Sequence, residues 1–464
     1  MAINFSEKEM EFCCPNLIKM EGTMKTIRKA LQIILPFSIL ILAFVFAQCS
    51  RLPTESQTTQ REPELLVKVN NRLPNSEDRV TNTTGGCEFG TQRSGANYQI
   101  CLPTSPPQPS WNGDLVVYAH GYVSIDKPLV PQDDKVGGIP ISQIITGMGF
   151  GFATTSYYKN GLVEPKIGIK DLVKLVKIFG KQHGEPNRTY LIGVSEGGLI
   201  TTLAIEKRPD ENDEEEEDVF NGGLALCGPI GDFREQINYF GNFRVVFDYF
   251  FPGVISGSPV NIPQAVMEAW DDPNPLNNLQ LAIIAAISAP ANQLKTAQLL
   301  TVTGAAFDPN DPLTIGNTVL GILFYNILGT NDAIATLGGQ PFDNQQTTYS
   351  GSLNDMALKG GIERFSADRA AINRIESHYQ TSGQPMVPLF TMHTDLDEIV
   401  PSFHETLYRL KVIQTGSTAL HTNIPEINRY GHCNFELAEL LNAFGQLIFK
   451  VTGQPQMIAE AGTF

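Results

Sequence analysis

The sequence predicts an α/β fold: a mainly parallel sheet flanked by helices, with a large, mostly helical segment inserted after its sixth strand. Three observations predict it. Short, nearly all-apolar runs alternate with segments of helical period between about residues 96 and 231, and strands apolar on both faces belong to a parallel sheet covered on both sides. The rhythm stops after Gly231 and returns at residue 387. And "YLIGVSEGGLITT" (190–202) sets Ser195 among glycines just where a strand-like run gives way to helix-compatible residues.

Taken in order, "DLVVYAHG" (114–121) reads as a short buried strand ending in glycine. "PISQIITGMGF" reads as a helix before the strand "GFATTSYY" (151–158). Apolar residues at helical spacing fill "VEPKIGIKDLVKLVKIFGKQHG" (163–184). "RTYLIGVS" is the next strand, "EGGLITTLAIEKRP" a helix, and "GGLALCG" (222–228) a further strand. Residues 232–386 hold helix-like and aromatic stretches such as "YFGNFRVVFDYFFPG" with no strand–helix alternation. After them come the strand "VPLFTMHT" (387–394), the helix "SFHETLYRLKVIQTG", the strand "HTNIPEI" and the helix "FELAELLNAFGQLIFKVTG". The expected division is 1–48 upstream residues and signal peptide, 49–95 lead-in, 96–231 first part of the core, 232–386 helical insertion, and 387–464 second part of the core.

The chain has 464 residues, 18% of them charged, and a formal net charge of −16. That balance argues against nucleic-acid partners, which need clustered Lys and Arg. Part of the charge is local: "RPDENDEEEED" (208–218) reads as a solvated acidic loop. Near the N-terminus, Lys25, Arg28 and Lys29 precede an uncharged apolar run from Ala30 to Ala47, the pattern of an export signal. Cleavage after Ala47, lipidation at Cys49 and retention of the run as a membrane tether all stay open. The chain is expected to be exported: periplasmic, secreted, or a cell-surface lipoprotein. Beyond the signal lie Cys87, Cys101, Cys227 and Cys433, and an even number in an exported chain favours disulfides. Cys87 and Cys101 flank a hairpin-like stretch and form the natural local pair, which leaves Cys227 and Cys433 to pair across the fold.

Gly193-Val194-Ser195-Glu196-Gly197 fits a strand–turn–helix elbow that raises a serine hydroxyl above the sheet, with glycines where side chains would collide. A serine at neutral pH needs a base. Among seven histidines, His432 in "NRYGHCNFE" is the best placed, since it lies between the last strand and the last helix. The group that orients the imidazole is sought in "TMHTDLDEIVP" (391–401), which offers Asp395, Asp397 and Glu398. Glu196 reads as a first-turn carboxylate favoured by the helix dipole.

These segments resemble the α/β-hydrolase superfamily, and within it the exported bacterial members with an "AHGY" segment, a "G-x-SEGG" elbow, a "D-x-x-VP" acid loop and a "YGHCNF" histidine loop. The resemblance covers about residues 96–231 and 387–453. It implies Ser195 as nucleophile, His432 as base, and Asp397 as acid with Asp395 as runner-up; Thr394 departs from the glycine commoner at its position. It further implies backbone N–H groups of Tyr122 and Glu196 as oxyanion donors, a structural role for His120, and a cap formed by the insertion. The expected activity is hydrolysis of carboxylic esters through an acyl-enzyme, without metal or organic cofactor, on a small-molecule, lipid or polymer ester. An amidase or peptidase with the same three residues, or a non-catalytic binding protein on the same scaffold, are the alternatives.

Overall fold

The computed structural model describes residues 79–84, 86–103, 110–206 and 219–454. The signal-like segment with Cys49, the lead-in up to residue 78 and the acidic run 208–218 lie outside the described residues.

The chain has the α/β-hydrolase fold, built on a nine-stranded sheet among the described residues. Its strands are β1 (Arg79–Thr84), β2 (Cys87–Thr91), β3 (Asn97–Cys101), β4 (Asp114–Ala119), β7 (Gly151–Thr155), β8 (Arg188–Val194), β9 (Gly222–Leu226), β10 (Leu389–Met392) and β12 (His421–Asn423). They lie in the order β1-β2-β3-β7-β4-β8-β9-β10-β12. The run from β7 to β12 is parallel, and β1, β2 and β3 join it antiparallel. Two short pairs complete the strands: β5 (Lys135–Val136) with β6 (Ile139–Pro140), and β11 (Thr394–Leu396) with β13 (Ile427–Tyr430).

Alternation along β4 shows why the parallel strands are apolar throughout. Leu115, Val117 and Ala119 point to one face, against helices α2 (Pro165–His183), α3 (Glu196–Ile205) and α12 (Phe403–Thr415). Val116 and Tyr118 point to the other, against α1 (Ile141–Gly147) and α13 (Leu437–Thr452). Each face removes its side chains from water, so every strand position contributes to the core.

Residues 79–91 were expected within an irregular lead-in and instead form two paired strands. Cys87 stands opposite Cys101 across the β2–β3 hairpin and is joined to it by a disulfide. This is the local pair expected from the hairpin-like stretch between the two cysteines; the pairing of β1 with β2 is what the polar composition of the segment does not reveal. Counted from β2, the insertion follows the sixth strand of the sheet, β9, as expected; β1 is an additional edge strand.

Between β9 and β10 the chain is helical: α4 (Phe233–Phe250), α5 (Gln264–Glu268), α6 (Leu279–Ser288), α7 (Gln293–Thr303), α8 (Leu313–Phe324), α9 (Thr330–Leu337), α10 (Asp355–Gly361) and α11 (Arg369–His378). A π-turn at Tyr325–Gly329 links α8 to α9. "LQLAIIAAISAPANQLKTAQLL" divides into α6 and α7 at Pro290. These helices share their own core, centred on Phe243, Phe247, Leu299, Val319 and Ile322, which meets the sheet part at Ile399 and Val400.

Candidate active site

Ser195 sits between β8 and α3 with φ 58° and ψ −122°. A non-glycine residue held there costs on the order of 1–3 kcal/mol, which burial of the neighbouring Leu199 and Ile200 offsets. The flanking glycines are obligatory for contact reasons. A Cβ at Gly193 would strike the Gly197 carbonyl and the Thr201 hydroxyl, and one at Gly197 would strike the Ala119 and His120 carbonyls. The Ser195 side chain makes no cap bond to its helix. Its hydroxyl faces His432 Nε2 at 2.9 Å instead.

His432 follows β13 in a loop bent by Gly431 (φ 112°) and Cys433 (φ 52°). Its Nδ1 donates to Asp397, 2.8 Å from Oδ2 and 3.0 Å from Oδ1. Asp397 is buried in the loop after β11, and its Oδ1 also accepts from the N–H groups of Ile399 and Val400, each at 2.9 Å. Burial by itself pushes this carboxyl up. The facing His432 and His393 outweigh that and hold it well below the usual carboxylate range. Asp395 serves elsewhere, accepting from the Arg429 N–H at 3.0 Å. The structure thus strings Ser195, His432 and Asp397 into one hydrogen-bonded series. In such a series a proton can pass from hydroxyl to imidazole while the carboxylate fixes the tautomer.

The turn after β4 lies over the elbow. A Cβ on Gly121 would come within 3.0 Å of Ser195 Cβ and 3.2 Å of the Val194 carbonyl oxygen. Neither the Tyr122 nor the Glu196 backbone N–H has a hydrogen-bond acceptor among the described residues, so both are free to meet an anion beside Ser195. His120 is buried, with Nδ1 2.6 Å from the Gly121 carbonyl oxygen and its ring tilted on Tyr157 at 4.4 Å; it braces this turn.

Glu196 lies in the first turn of α3, as helix-dipole reasoning suggests. It is buried, and its Oε1 accepts from the Val163 N–H at 2.7 Å. Burial pushes its carboxyl up to about 8, so near neutral pH it adds little negative charge beside the serine.

Cys227 and Cys433 form a disulfide across a sequence separation of 206 residues. The bond ties the loop after β9 to the neighbour of His432, and the chain-entropy description gives such a bridge about 5 kcal/mol. Both sulfurs lie near His432. Because they are bonded to each other, they offer no thiolate to a metal.

A cavity of about 870 Å³, counted with its open mouth, runs from Ser195 under the insertion. Phe233, Ile237, Phe240, Tyr325 and Phe342 line it, together with Ile399 from the acid loop. The Phe240 and Tyr325 rings stack with centroids 5.0 Å apart. The insertion is latched to the core beside this cavity: Lys159 Nζ bonds Asp332 at 3.0 Å and Thr336 at 2.7 Å, and Asp332 Oδ2 accepts from the Leu162 N–H at 2.6 Å. Sequence reasoning found neither this latch nor the contacts of His393 behind Asp397. His393 stands four residues before Asp397, and that spacing was the one available signal.

No protein-family model matches the sequence, and no curated protein matches it. Among solved structures, the chain is similar to feruloyl esterase B from Aspergillus oryzae, at 15% identity and a TM-score of 0.44 over 75% of this chain and 73% of that one. It is also similar to a rice cell wall degrading esterase from Xanthomonas oryzae, at 13% identity and a TM-score of 0.36 over 78% and 87%. An acylaminoacyl peptidase matches at 10% identity and a TM-score of 0.35 over 74% and 36%.

Proposed function

We propose that the protein is an exported serine hydrolase that cleaves carboxylic esters. The observation that carries this reading is the hydrogen-bonded series Ser195–His432–Asp397, whose Ser195 lines an apolar cavity. Ser195 Oγ attacks the ester carbonyl as His432 Nε2 takes its proton, and Asp397 stabilises the imidazolium that forms. The Tyr122 and Glu196 N–H groups receive the oxyanion. His432 then protonates the departing alcohol, and a water activated by the same imidazole releases the acid from Ser195. The aromatic and aliphatic lining supports an acyl or aryl group of apolar character, with the insertion acting as the cap over it. The two disulfides support export.

The test is turnover of nitrophenyl esters of graded chain length beside aminoacyl anilides, using purified protein. Ester turnover that depends on Ser195 and exceeds anilide turnover is expected. Faster anilide cleavage would move the reading to an amidase or peptidase, and no turnover of either would favour a binding protein.

A further inference from the structure

Behind the Asp397 carboxylate lies a second histidine that the reaction above does not use. His393, between β10 and β11, is fully buried, as is Glu405 in the first turn of α12. His393 Nε2 lies 2.7 Å from the Val400 carbonyl oxygen and 3.3 Å from Asp397 Oδ2. Its Nδ1 lies 3.4 Å from Glu405 Oε1. Both ring nitrogens therefore face acceptors. A neutral imidazole carries one N–H, so only the imidazolium donates on both sides.

The far end of this series is fixed as well. Glu405 Oε2 accepts from the Thr391 hydroxyl and from the Asn423 amide, each at 2.6 Å, which anchors it to β10 and β12. The other titratable groups nearby do not supply a competing cation. His404 Nδ1 faces the N–H groups of Gly231 and Asp232 at 3.2 and 3.3 Å and accepts from them, and burial pushes that ring down to about 3. His421 Nε2 bonds the Thr391 hydroxyl at 3.1 Å, and burial pushes that ring down too. Burial raises the Glu398 carboxyl, which adds no positive charge.

We propose that His393, held as an imidazolium between Asp397 and Glu405, is a positioning residue of the hydrolytic site: it fixes the Asp397 carboxylate against His432 and restrains how readily His432 takes up a proton. This rests on the reading of Ser195, His432 and Asp397 given above. Burial pushes the His393 ring down, but the two facing carboxylates outweigh it and raise the ring to about 10. Val400 closes the arrangement, since its N–H bonds Asp397 and its carbonyl bonds His393. Without the imidazolium, the negative charge of Asp397 would act on His432 uncompensated. His432 would then hold its proton to higher pH, and the carboxylate would lose one of its fixed contacts.

The experiment measures kcat and KM on a nitrophenyl ester across about pH 5 to 9 for wild type, His393→Gln and Glu405→Gln. His393→Gln is expected to lower kcat about tenfold, with KM changed less than about twofold. Its acid limb of kcat/KM should move upward by about half a pH unit or more. Glu405→Gln should move the limb the same way by less, because an imidazolium without its counter-ion gives up its proton when buried. The rate constant for inactivation by a fluorophosphonate reads only assembled sites, so partial unfolding does not mimic the effect. If His393→Gln does not fold, Glu405→Gln carries the test alone. Wild-type kcat and an unmoved acid limb in the folded variants would overturn the proposal. A wild type with neither turnover nor label at Ser195 would overturn the parent reading and this one with it.

Discussion

The sheet edge and the helical insertion solve different problems, and their backbones show it. At the edge, Ser195, Cys227 and Cys433 all adopt positive φ, at 58°, 45° and 52°, and Tyr157 beneath His120 does so at 52°. Within the insertion, among the described residues, only glycines do so. Strain in non-glycine residues is thus concentrated where a hydroxyl, an imidazole and their supports must be held in register, and the packed core around them maintains it. The insertion is mostly helix around an ordinary apolar core. Most of its aromatic residues fill that core, and a minority reach the cavity at Ser195. On the proposed function, chemistry belongs to the few constrained backbone positions and selectivity to the cavity wall.

That contrast predicts separable effects. The largest follows from the edge. Asp397→Asn should lower kcat by up to about 10⁴-fold, since asparagine favours the wrong tautomer of His432. Asp395→Asn, which loses only the bond to the Arg429 N–H, should stay within about threefold of wild type. Steady-state kinetics on one ester decide it, and the reverse ranking would break the comparison by moving the acid out of the constrained loop.

A smaller effect belongs to the wall. Phe240→Ala removes the ring stacked on Tyr325 and enlarges the cavity. It should shift the preference between long and short acyl chains about tenfold toward long ones, as expected when a few methylenes gain room. Inactivation by a small fluorophosphonate should proceed at the wild-type rate. Equal loss on every ester and on the small probe would mean that wall and edge are not separable.

How much of this was legible in the sequence follows the same divide. The parallel strands, the elbow glycines and the loop of His432 each leave a local mark, because the constraint acts within a few residues. Gly193, for example, is required by the Gly197 carbonyl and the Thr201 hydroxyl of the turn and helix that follow it. The contacts of His393 were not legible, because they need Glu405 from the following helix, itself held by Asn423 of an edge strand. The cavity was not legible either. Phe240, Tyr325 and Phe342 are far apart in the chain, and helical period alone does not say which apolar face meets Ser195. Strand β1 escaped notice because its pairing depends on the hairpin register set at Cys87 and Cys101.

The proposed function makes Ser195 the nucleophile, raised by the elbow and activated by His432. To check it, the purified protein is treated with a fluorophosphonate and digested, and the adduct is located by mass spectrometry, with Ser195→Ala in parallel. One adduct is expected, on Ser195. None is expected in the variant, which should stay folded while losing turnover on the order of 10⁶-fold. An adduct on another serine, or a Ser195→Ala protein that still turns over ester at the wild-type rate, would contradict it.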